Sequence, residues 1–500
     1  MTFCPPEGSP YFIDGGADFM KTQAQFVPSL FINGEWISDY SETEIIINPA
    51  TLEPIAEVTR GGKKEALSAV EAARDALPGW SALTGRERSR ILYNAHDLML
   101  EDQDRLARIL TSEQGKPKKE AMGEIQSAAS FLLWYAEEAA RAYGEYLPSS
   151  SKSKRLLAVP QPVGVVGAIT PWNFPSSMIT RKIAPALAAG CTIVLKPAPE
   201  TPLSAIEIVK ILEKSGLPPG VVNLVTGEAK EIGHVFLTHK AMRMITFTGS
   251  TEVGKHLIRK SADQVKKLAL ELGGHAPLIV FEDADLDKAA ELTLASKFRN
   301  SGQTCICTNR LYVQESVQTD FAVRLKEKAE ALQQGDGLAE ETDIGPLINE
   351  KALAKVERHV SDAFSKGAEV ICGGSKWEGP LAGYFYRPTV LSNVSEDMLM
   401  MSEETFGPVL PLQTFRTEEE AIRHANHTDY GLAAYIFTEN LGRATRVSEQ
   451  LEYGIVGIND VFPAVAEAPF GGIKQSGSGK EGGHHGLQEF MEIKLISVGI

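Results

Sequence analysis

The chain has 500 residues and a formal net charge of −15, with 43% hydrophobic and 23% charged residues. The length allows about three domains, and the acidic balance argues against nucleic acids and anionic membranes as partners. No apolar run approaches the roughly 20 residues of a membrane span, and residues 1–20 lack the basic start and apolar segment of a signal peptide. The five scattered cysteines form no disulfide framework, so we expect a cytoplasmic protein.

The first third of the chain is predicted to be mainly helical. Residues 1–25 have the composition of a flexible tail, and Asn33-Gly34 suits the two-residue turn of a hairpin over 31–36. Apolar residues then recur at three- and four-residue spacing from Lys63 to about Ala142. The polar segment 147–154 breaks this pattern and indicates a β-rich excursion or a linker.

Short apolar strands alternate with helices in the rest of the chain. The sequence predicts a helix over 177–189 and strands at 163–169, 192–195, 221–225, 244–247, 278–281, 311–313 and 433–437. This alternation indicates βαβ units around mostly parallel sheets, so the predicted fold class is α/β with two lobes. The alternating residues 487–493 predict a C-terminal edge strand that could pair with another chain.

Cys305 is the most informative residue of the sequence. An isolated intracellular cysteine is usually buried and inert, but the flanking Asn, Gly, Gln and Thr residues suit close backbone approach rather than apolar packing. Glu271 and the glycine-containing turn 249–254 precede it, an order that suggests covalent catalysis coupled to a nucleotide. Nearby amide donors or cations would favour its thiolate form.

Cys307 forms a Cys-x-Cys pair with Cys305. No histidine or further cysteine lies at metal-ligand spacing, so we expect no metal site here. Cys307 could form a reversible redox link that silences Cys305, and the alternative is a packed, inert thiol.

Five motifs together resemble the NAD(P)-dependent aldehyde dehydrogenases over residues 28–500. They are Pro171–Pro175, Phe247–Thr251, Glu271–Gly274, Gly302–Cys305 and Glu404–Pro408. Met178–Lys182, Phe298–Asn300 and Cys305–Cys307 are most similar to the succinate-semialdehyde branch of that family.

The resemblance implies two Rossmann-like α/β lobes and an oligomer. The cofactor-binding domain would comprise residues 26–142 and 160–273, and the catalytic domain residues 274–475. The segments 143–159 and 476–500 would be the oligomerisation elements of a homodimer or homotetramer.

The resemblance also implies the catalytic roles. Cys305 would add to an aldehyde, and the Asn173 amide with the Cys305 backbone N–H would stabilise the resulting oxyanion, each donor contributing about 3 kcal/mol. Glu271 would activate water to hydrolyse the thioester, and Glu481 would relay protons. From sequence context alone, Asn173 could equally be a turn residue, and the two glutamates could be surface carboxylates.

The cofactor would be NADP or NAD. Gly249 and Ser250 would place a helix N-terminus at the pyrophosphate, a role compatible with Ser250 as an ordinary helix cap. Lys196 would contact the adenosine ribose, whereas Pro199 stands where NAD-preferring relatives carry glutamate. We therefore expect NADP+ to be used at least as well as NAD+. Trp172, Glu404 and Phe406 resemble residues around the nicotinamide and its ribose.

The expected substrate is a small semialdehyde, most simply succinate semialdehyde. Arg181 and Arg299 could bind its carboxylate in a bidentate manner, although most arginines are merely exposed or salt-bridged. A serine that commonly assists carboxylate binding is Ala464 here, which keeps glutarate semialdehyde open.

Two other classes of function fit the sequence less well. A thiol hydrolase or acyltransferase would pair Cys305 with a histidine, and no histidine flanks a matching motif. A catalytically silent relative would have no chemical need to hold Cys305, Glu271 and Asn173 together.

Overall fold

A computed structural model describes residues 25–38 and 41–500. The tail predicted at 1–25 therefore lies outside the described residues except for Gln25. Within the described ranges, no helix is both long enough and apolar enough to cross a lipid bilayer.

The strands are β1 (Gln25–Val27), β2 (Leu30–Ile32), β3 (Glu35–Ile37), β4 (Thr43–Ile47), β5 (Pro54–Thr59), β6 (Glu145–Leu147), β7 (Lys154–Pro162), β8 (Val165–Ile169), β9 (Thr192–Lys196), β10 (Val222–Leu224), β11 (Met242–Thr248), β12 (Lys267–Glu271), β13 (Ala276–Val280), β14 (Thr308–Gln314), β15 (Glu369–Cys372), β16 (Thr389–Ser392), β17 (Val409–Phe415), β18 (Ala433–Phe437), β19 (Ile455–Ile458), β20 (Gly477–Ser478) and β21 (Met491–Gly499).

The helices are α1 (Lys63–Ser81), α2 (Gly85–Glu101), α3 (Gln103–Gln114), α4 (Lys118–Glu138), α5 (Ser177–Ala189), α6 (Pro202–Lys214), α7 (Ala229–Thr238), α8 (Thr251–Ser261), α9 (Leu286–Phe298), α10 (Gln318–Glu330), α11 (Glu350–Ser365), α12 (Leu399–Ser402), α13 (Glu418–Asn426), α14 (Leu441–Gln450) and α15 (Gly483–Glu489). The predicted α/β class, the hairpin between β2 and β3, and the helix over 177–189 are confirmed.

The first large sheet has the strand order β20-β12-β11-β8-β9-β10-β2-β3. Its five central strands are parallel, and the chain runs from β8 outward through β9 and β10 before returning to β11 and β12 on the other side. The order therefore reverses between β8 and β11. In open parallel sheets, ligands bind at such a reversal, outside the carboxyl ends of the strands.

Strand residues of this sheet alternate between two apolar layers. Val166, Ile193 and Leu195 pack with α2, α4, α5 and α6 on one face. Val165 and Val194 pack with α1, α7 and α8 on the other. Successive side chains of a strand point to opposite faces, so each strand buries both of its sides, as a parallel sheet covered by helices requires.

The second large sheet has the strand order β15-β16-β17-β14-β13-β18-β19. All neighbours are parallel except β15 and β16. Its first strand, β13, follows β12 after only four residues, 272–275. The two large sheets are therefore joined directly beside Glu271, and the carboxyl end of β12 leads into the amino end of β13.

A small sheet of β21, β7 and β6 confirms a β-rich excursion after α4. The predicted strand over 487–493 is wrong in its first half, because Leu487–Glu489 belong to α15 and β21 begins at Met491. Leu487 and Phe490 are three residues apart and both are buried in the first core, so helical spacing prevails there. Strand β21 lies at a sheet edge, as predicted, and pairs with β7 of the same chain.

Candidate functional site

The predicted catalytic residues meet where the two large sheets are joined. Asn173 follows β8, Glu271 ends β12, and Cys305 precedes β14, so the site lies between the carboxyl ends of one sheet and the amino ends of the other. Gly274 brings these segments together, because a Cβ atom at this position would collide with the backbone carbonyl of Cys305. Only glycine fits this close backbone approach.

Cys305 lies at the wall of a cavity, with its side chain partly exposed. The cavity is also lined by Phe174, Arg181, Arg299, Thr304 and Phe470. Burial, followed by the negative charges of Glu404 and Glu271, raises the pKa of the Cys305 thiol, and Arg181 opposes this shift. The cationic Arg181 thus favours the thiolate, as predicted, but desolvation and the two carboxylates outweigh it.

Asn173 is held at both its backbone and its side chain. Its buried Nδ2 donates to the Gln303 carbonyl at 3.0 Å, just before Cys305 in the chain. Its own carbonyl accepts from Lys116 Nζ at 2.8 Å and from Asn300 Nδ2 at 2.9 Å. An amide group has two donor hydrogens, so one remains for an oxyanion. The side chain thus lies beside the loop that carries Cys305, as the predicted role requires.

Glu271 is buried, and its Oε2 atom has no hydrogen-bond partner among the described residues. Burial and the neighbouring Glu481 carboxylate raise the pKa of Glu271 well above its ordinary value, against the opposing charges of Lys182, Lys480 and Arg181. A carboxyl group with a raised pKa is a stronger base once ionised. This environment fits the predicted general base.

Glu481 forms a buried ion pair that the sequence did not reveal. Lys182 Nζ donates to Glu481 Oε1 at 2.5 Å and to Thr246 Oγ1 at 3.2 Å. Arg181 Nη1 lies 3.8 Å from the second carboxylate oxygen of Glu481. The signal for Lys182 was its position beside Arg181 in a helix that is mainly apolar, where a buried charge needs a partner.

The two predicted carboxylate-binding arginines line the same cavity as Cys305. Arg181 is buried between the rings of Phe131 and Phe470, with its guanidinium carbon 4.8 and 4.6 Å from their centroids. Its Nε and Nη1 atoms find no hydrogen-bond partner in the described part of the chain. Arg299 stacks over Phe174 at 4.9 Å. Unpaired buried guanidinium donors call for an anion.

The predicted phosphate turn lies at the sheet reversal. Gly249 follows β11, and Ser250 caps α8 by accepting a hydrogen bond from the Val253 backbone N–H. Thr248 Oγ1, at the end of β11, is buried with no partner among the residues described. The free N–H groups of the first helical turn and this hydroxyl fit a pyrophosphate, so both predicted roles of Ser250 are compatible.

Lys196 ends β9, which is adjacent to β8 in the sheet. Lys196 is 3% exposed, and its Nζ donates to the Pro197 carbonyl at 2.9 Å. Burial lowers the pKa of Lys196, although Glu200 and Glu44 oppose the shift. Such a cation has spare donors for ribose hydroxyls. Pro199 is exposed beyond it and offers no acceptor for a 2′-hydroxyl.

Trp172 and Phe406, which are close in sequence to Asn173 and Glu404, form an aromatic pair. Their ring centroids are 5.5 Å apart in an edge-to-face arrangement, and both rings are partly exposed. Phe406 has a φ angle of 54°, which is rare for a bulky residue and marks a constrained loop. Glu404 Oε1 accepts from the Gly274 N–H at 2.9 Å, and burial raises the pKa of Glu404 to about 7.

Cys307 is buried and carries a free thiol, as does Cys305. Its sulfur lies 3.9 Å from Lys297 Nζ and 3.4 Å from the Gly302 carbonyl. Burial raises the pKa of Cys307. A redox link to Cys305 stays a prediction. Over residues 25–38 and 41–500, no three His, Cys, Asp or Glu side chains form a group suited to a metal ion.

Comparison with known proteins gives consistent matches over nearly the whole chain. Residues 36–496 match the model of the Aldehyde dehydrogenase family. Succinate-semialdehyde dehydrogenase [NADP(+)] of Escherichia coli (strain K12) is 51% identical, covering 95% of this chain and 98% of the relative. Glutarate-semialdehyde dehydrogenase of Pseudomonas putida (strain KT2440) is 50% identical, and the match covers 96% of this chain and 100% of the relative. The crystal structure of succinate-semialdehyde dehydrogenase from Burkholderia pseudomallei matches with a TM-score of 0.93 and 48% sequence identity. The match covers 96% of this chain and 98% of that chain.

The raised pKa of Cys305 predicts slow reaction with alkylating reagents in the protein alone. Since the thiolate is the reactive form, the iodoacetamide rate constant should keep rising with pH beyond the ordinary thiol pKa of about 8.5. Peptide mapping by mass spectrometry would follow Cys305 alone, with glutathione as the reference thiol. A plateau below the pH at which glutathione levels off would contradict the prediction.

Proposed function

This chain belongs to the aldehyde dehydrogenase family, and we propose that it oxidises succinate semialdehyde to succinate with NADP+ or NAD+. The observation that carries the proposal is the cavity that holds the Cys305 thiol together with the guanidinium groups of Arg181 and Arg299. A thiol can trap the aldehyde at one end of the substrate while the arginines bind the carboxylate at the other.

In the first step the Cys305 sulfur attacks the aldehyde carbon. The C=O π bond breaks, its electron pair moves to oxygen, and a hemithioacetal forms. The remaining Asn173 amide hydrogen and the Cys305 backbone N–H stabilise the oxyanion. Burial disfavours the Cys305 thiolate, so the thiol proton needs an acceptor, and we assign this role to the neighbouring Glu271 carboxylate.

Collapse of the oxyanion then expels a hydride from the same carbon and leaves a thioester on Cys305. The nicotinamide cofactor, when bound, supplies the acceptor for this hydride. Gly249, Ser250 and Thr248 would hold its pyrophosphate, Lys196 its adenosine ribose, and Glu404 its nicotinamide ribose. Trp172 and Phe406 would flank the nicotinamide, because they offer partly exposed apolar rings where the two sheets meet.

Hydrolysis of the thioester uses Glu271 as general base. The ionised carboxylate takes a proton from water, the hydroxyl adds to the acyl carbon, and the C–S bond breaks to release succinate and the Cys305 thiolate. Glu481 lies close enough for its charge to raise the Glu271 pKa, and its ion pair with Lys182 offers a route for the proton away from the site.

Glutarate semialdehyde is a second candidate substrate. Ala464 lines the cavity at the position where the succinate-semialdehyde branch commonly has serine. The smaller, apolar side chain removes one donor to a short substrate's carboxylate and leaves room for one more methylene. The 50% identity to a glutarate-semialdehyde dehydrogenase supports the same alternative.

We also propose a homodimer or homotetramer in the cytoplasm. Strand β21 exposes apolar side chains on the small sheet, with Ile493 at 70%, Leu495 at 63% and Ile496 at 41% exposure. An edge strand with this composition favours pairing with another copy of the chain. We further propose that each large sheet belongs to one domain. The cofactor-binding domain would comprise residues 26–142 and 160–273, and the catalytic domain residues 274–475.

The raised pKa of Glu271 predicts an alkaline rise in turnover. The base works only when ionised, so kcat should increase as pH rises through this pKa and then level off. Glu271→Gln should lower kcat by about 10²–10⁴-fold yet retain a burst of reduced cofactor equal in amplitude to the active sites, although the burst should be slower because the Cys305 proton also loses its acceptor. Stopped-flow absorbance at 340 nm measures both quantities. Unchanged kcat with an unchanged pH profile in the variant would eliminate Glu271 as the base.

Substrate recognition is tested by Arg299→Ala. Loss of a charge-assisted contact of about 1.5–3 kcal/mol should lower kcat/KM for succinate semialdehyde about 10–100-fold. The value for butanal, which has no carboxylate, should stay within about twofold. Arg416→Ala is the matched control, since Arg416 is a surface residue paired with Glu315. Equal losses with both aldehydes would refute carboxylate binding by Arg299.

Cofactor choice is tested at Pro199. The unaltered enzyme should use NADP+ at least as well as NAD+, and Pro199→Glu should lower kcat/KM for NADP+ by at least about tenfold through repulsion of the 2′-phosphate. Pro199→Gln, which adds a similar volume without charge, is the control. If kcat/KM of the unaltered enzyme is more than about 100-fold higher with NAD+ than with NADP+, the proposed use of NADP+ is refuted.

A further inference from the structure

A buried ion pair lies behind the turn that carries Asn173. Lys116 Nζ is 2.6 Å from Glu124 Oε2, and both residues are at most 3% exposed. Lys116 comes from the segment between α3 and α4, whereas Glu124 lies on α4. Neither residue has a part in the chemical steps described above. A buried charge pair is costly to desolvate and adds little net stability, so its presence here calls for another explanation.

Each member of the pair binds the backbone of the turn after β8. Lys116 Nζ donates to the Asn173 carbonyl at 2.8 Å and lies 3.8 Å from the centroid of Phe174. Glu124 Oε1 accepts from the backbone N–H groups of Ser176 and Ser177 at 2.8 and 3.2 Å. The pair therefore fixes the turn on both sides of Asn173, at residue 173 itself and at the start of α5.

Glu124 replaces a missing helix cap. Ser176 is the N-cap residue of α5, but its side chain makes no capping hydrogen bond. The unpaired N–H groups of a first helical turn need acceptors, and a carboxylate is favoured there by the helix dipole. Helix α5 also carries Arg181 and Lys182, so its position determines where both cations point.

We propose that Lys116 and Glu124 are positioning residues that aim the Asn173 amide at the oxyanion. The inference rests on the proposed function, since it assumes that Asn173 stabilises the hemithioacetal. The Asn173 side chain has one hydrogen committed to the Gln303 carbonyl. With the backbone carbonyl also fixed, the direction of the second hydrogen is set before substrate binds. Such preorganisation is what makes an oxyanion donor effective.

The ion pair also controls charge in the substrate cavity. Glu124 lines the cavity together with Arg181 and Arg299. Both its oxygens are occupied, by Lys116 and by the two backbone N–H groups, so it does not compete with a substrate carboxylate for the arginines. Removing the Lys116 ammonium would leave a negative charge facing an anionic substrate. The two hydrogen bonds of Lys116 thus have separable effects. The bond to the Asn173 carbonyl affects the acylation rate, and the bond to Glu124 affects substrate binding.

The test is a double-mutant cycle read by the single-turnover rate of hydride transfer. Asn173→Ala should lower this rate about 10²–10³-fold, and Lys116→Met should lower it about 10–100-fold through misplacement of the amide. In the Asn173→Ala background, Lys116→Met should change the rate by no more than about twofold, because it acts through the missing amide. A merely structural role would lower the rate by the same factor in both backgrounds.

The outcomes separate the two proposals. A full hydride-transfer rate in Asn173→Ala would overturn the oxyanion assignment in the proposed function. If Asn173→Ala is slow and adding Lys116→Met lowers its hydride-transfer rate by the same factor as in the unaltered enzyme, only the positioning role is overturned. Arg105→Met is the control for loss of an ion pair, because Arg105 binds Glu207 between α3 and α6. It should lower Tm while leaving the hydride-transfer rate unchanged.

Substrate binding gives a second readout. Lys116→Met should raise KM for succinate semialdehyde about tenfold more than for butanal, because Glu124 then repels the carboxylate. Lys116→Met combined with Glu124→Gln should restore the KM ratio of the two aldehydes but not the hydride-transfer rate. Failure of the second substitution to restore the ratio would refute the charge-compensating role of Lys116.

Discussion

Exclusion of water from the junction of the two large sheets is the constraint on which the site depends. It raises the pKa of both Cys305 and Glu271, because burial disfavours the charged form of each group. A proton passed from the thiol to the ionised carboxylate moves one negative charge from oxygen to sulfur and adds no new charge to the cleft. The buried cations nearby, Arg181 and Lys182, oppose the cost of keeping that negative charge away from water.

Binding of an anionic substrate depends on where the charges of the chain lie and not on its net charge. The chain carries a net charge of −15, yet its substrate cavity presents two guanidinium groups whose nearest carboxylates are already occupied or distant. Lys116 neutralises Glu124, and Lys182 takes the shorter contact to Glu481. Arg181 therefore keeps donors free for an anionic substrate. Aromatic rings around both arginines hold the guanidinium planes without competing for their hydrogens.

The sequence was most informative where chemistry is concentrated in short motifs. Cys305 was predicted from its flanking Asn, Gly, Gln and Thr residues, whereas the role of Glu271 was implied by the family resemblance of the motif Glu271–Gly274. The turn after β11 was predicted from Gly249 and Gly254. Lys116 and Glu124 were not predicted, since their roles arise only when α4 packs against the start of α5. The sequence did not show that burial outweighs the effect of Arg181 on the Cys305 thiol, because a local pattern does not reveal how deeply a side chain is buried. The predicted strand over 487–493 is wrong in its first half because Leu487 and Phe490 pack at helical spacing. A short alternating run of apolar residues does not exclude such a helix.

Strand β20 has a consequence for the order in which the enzyme is made. Gly477 and Ser478 add to the edge of the first sheet beside Glu271 and Leu270, and Glu481 reaches back to Lys182, 299 positions earlier. A nascent chain on the ribosome can form β8 to β12 long before these residues exist. Glu271, the proposed general base, therefore gains the antiparallel neighbour of its strand and the nearby Glu481 carboxylate only near the end of translation, well after Cys305 has been added to the chain.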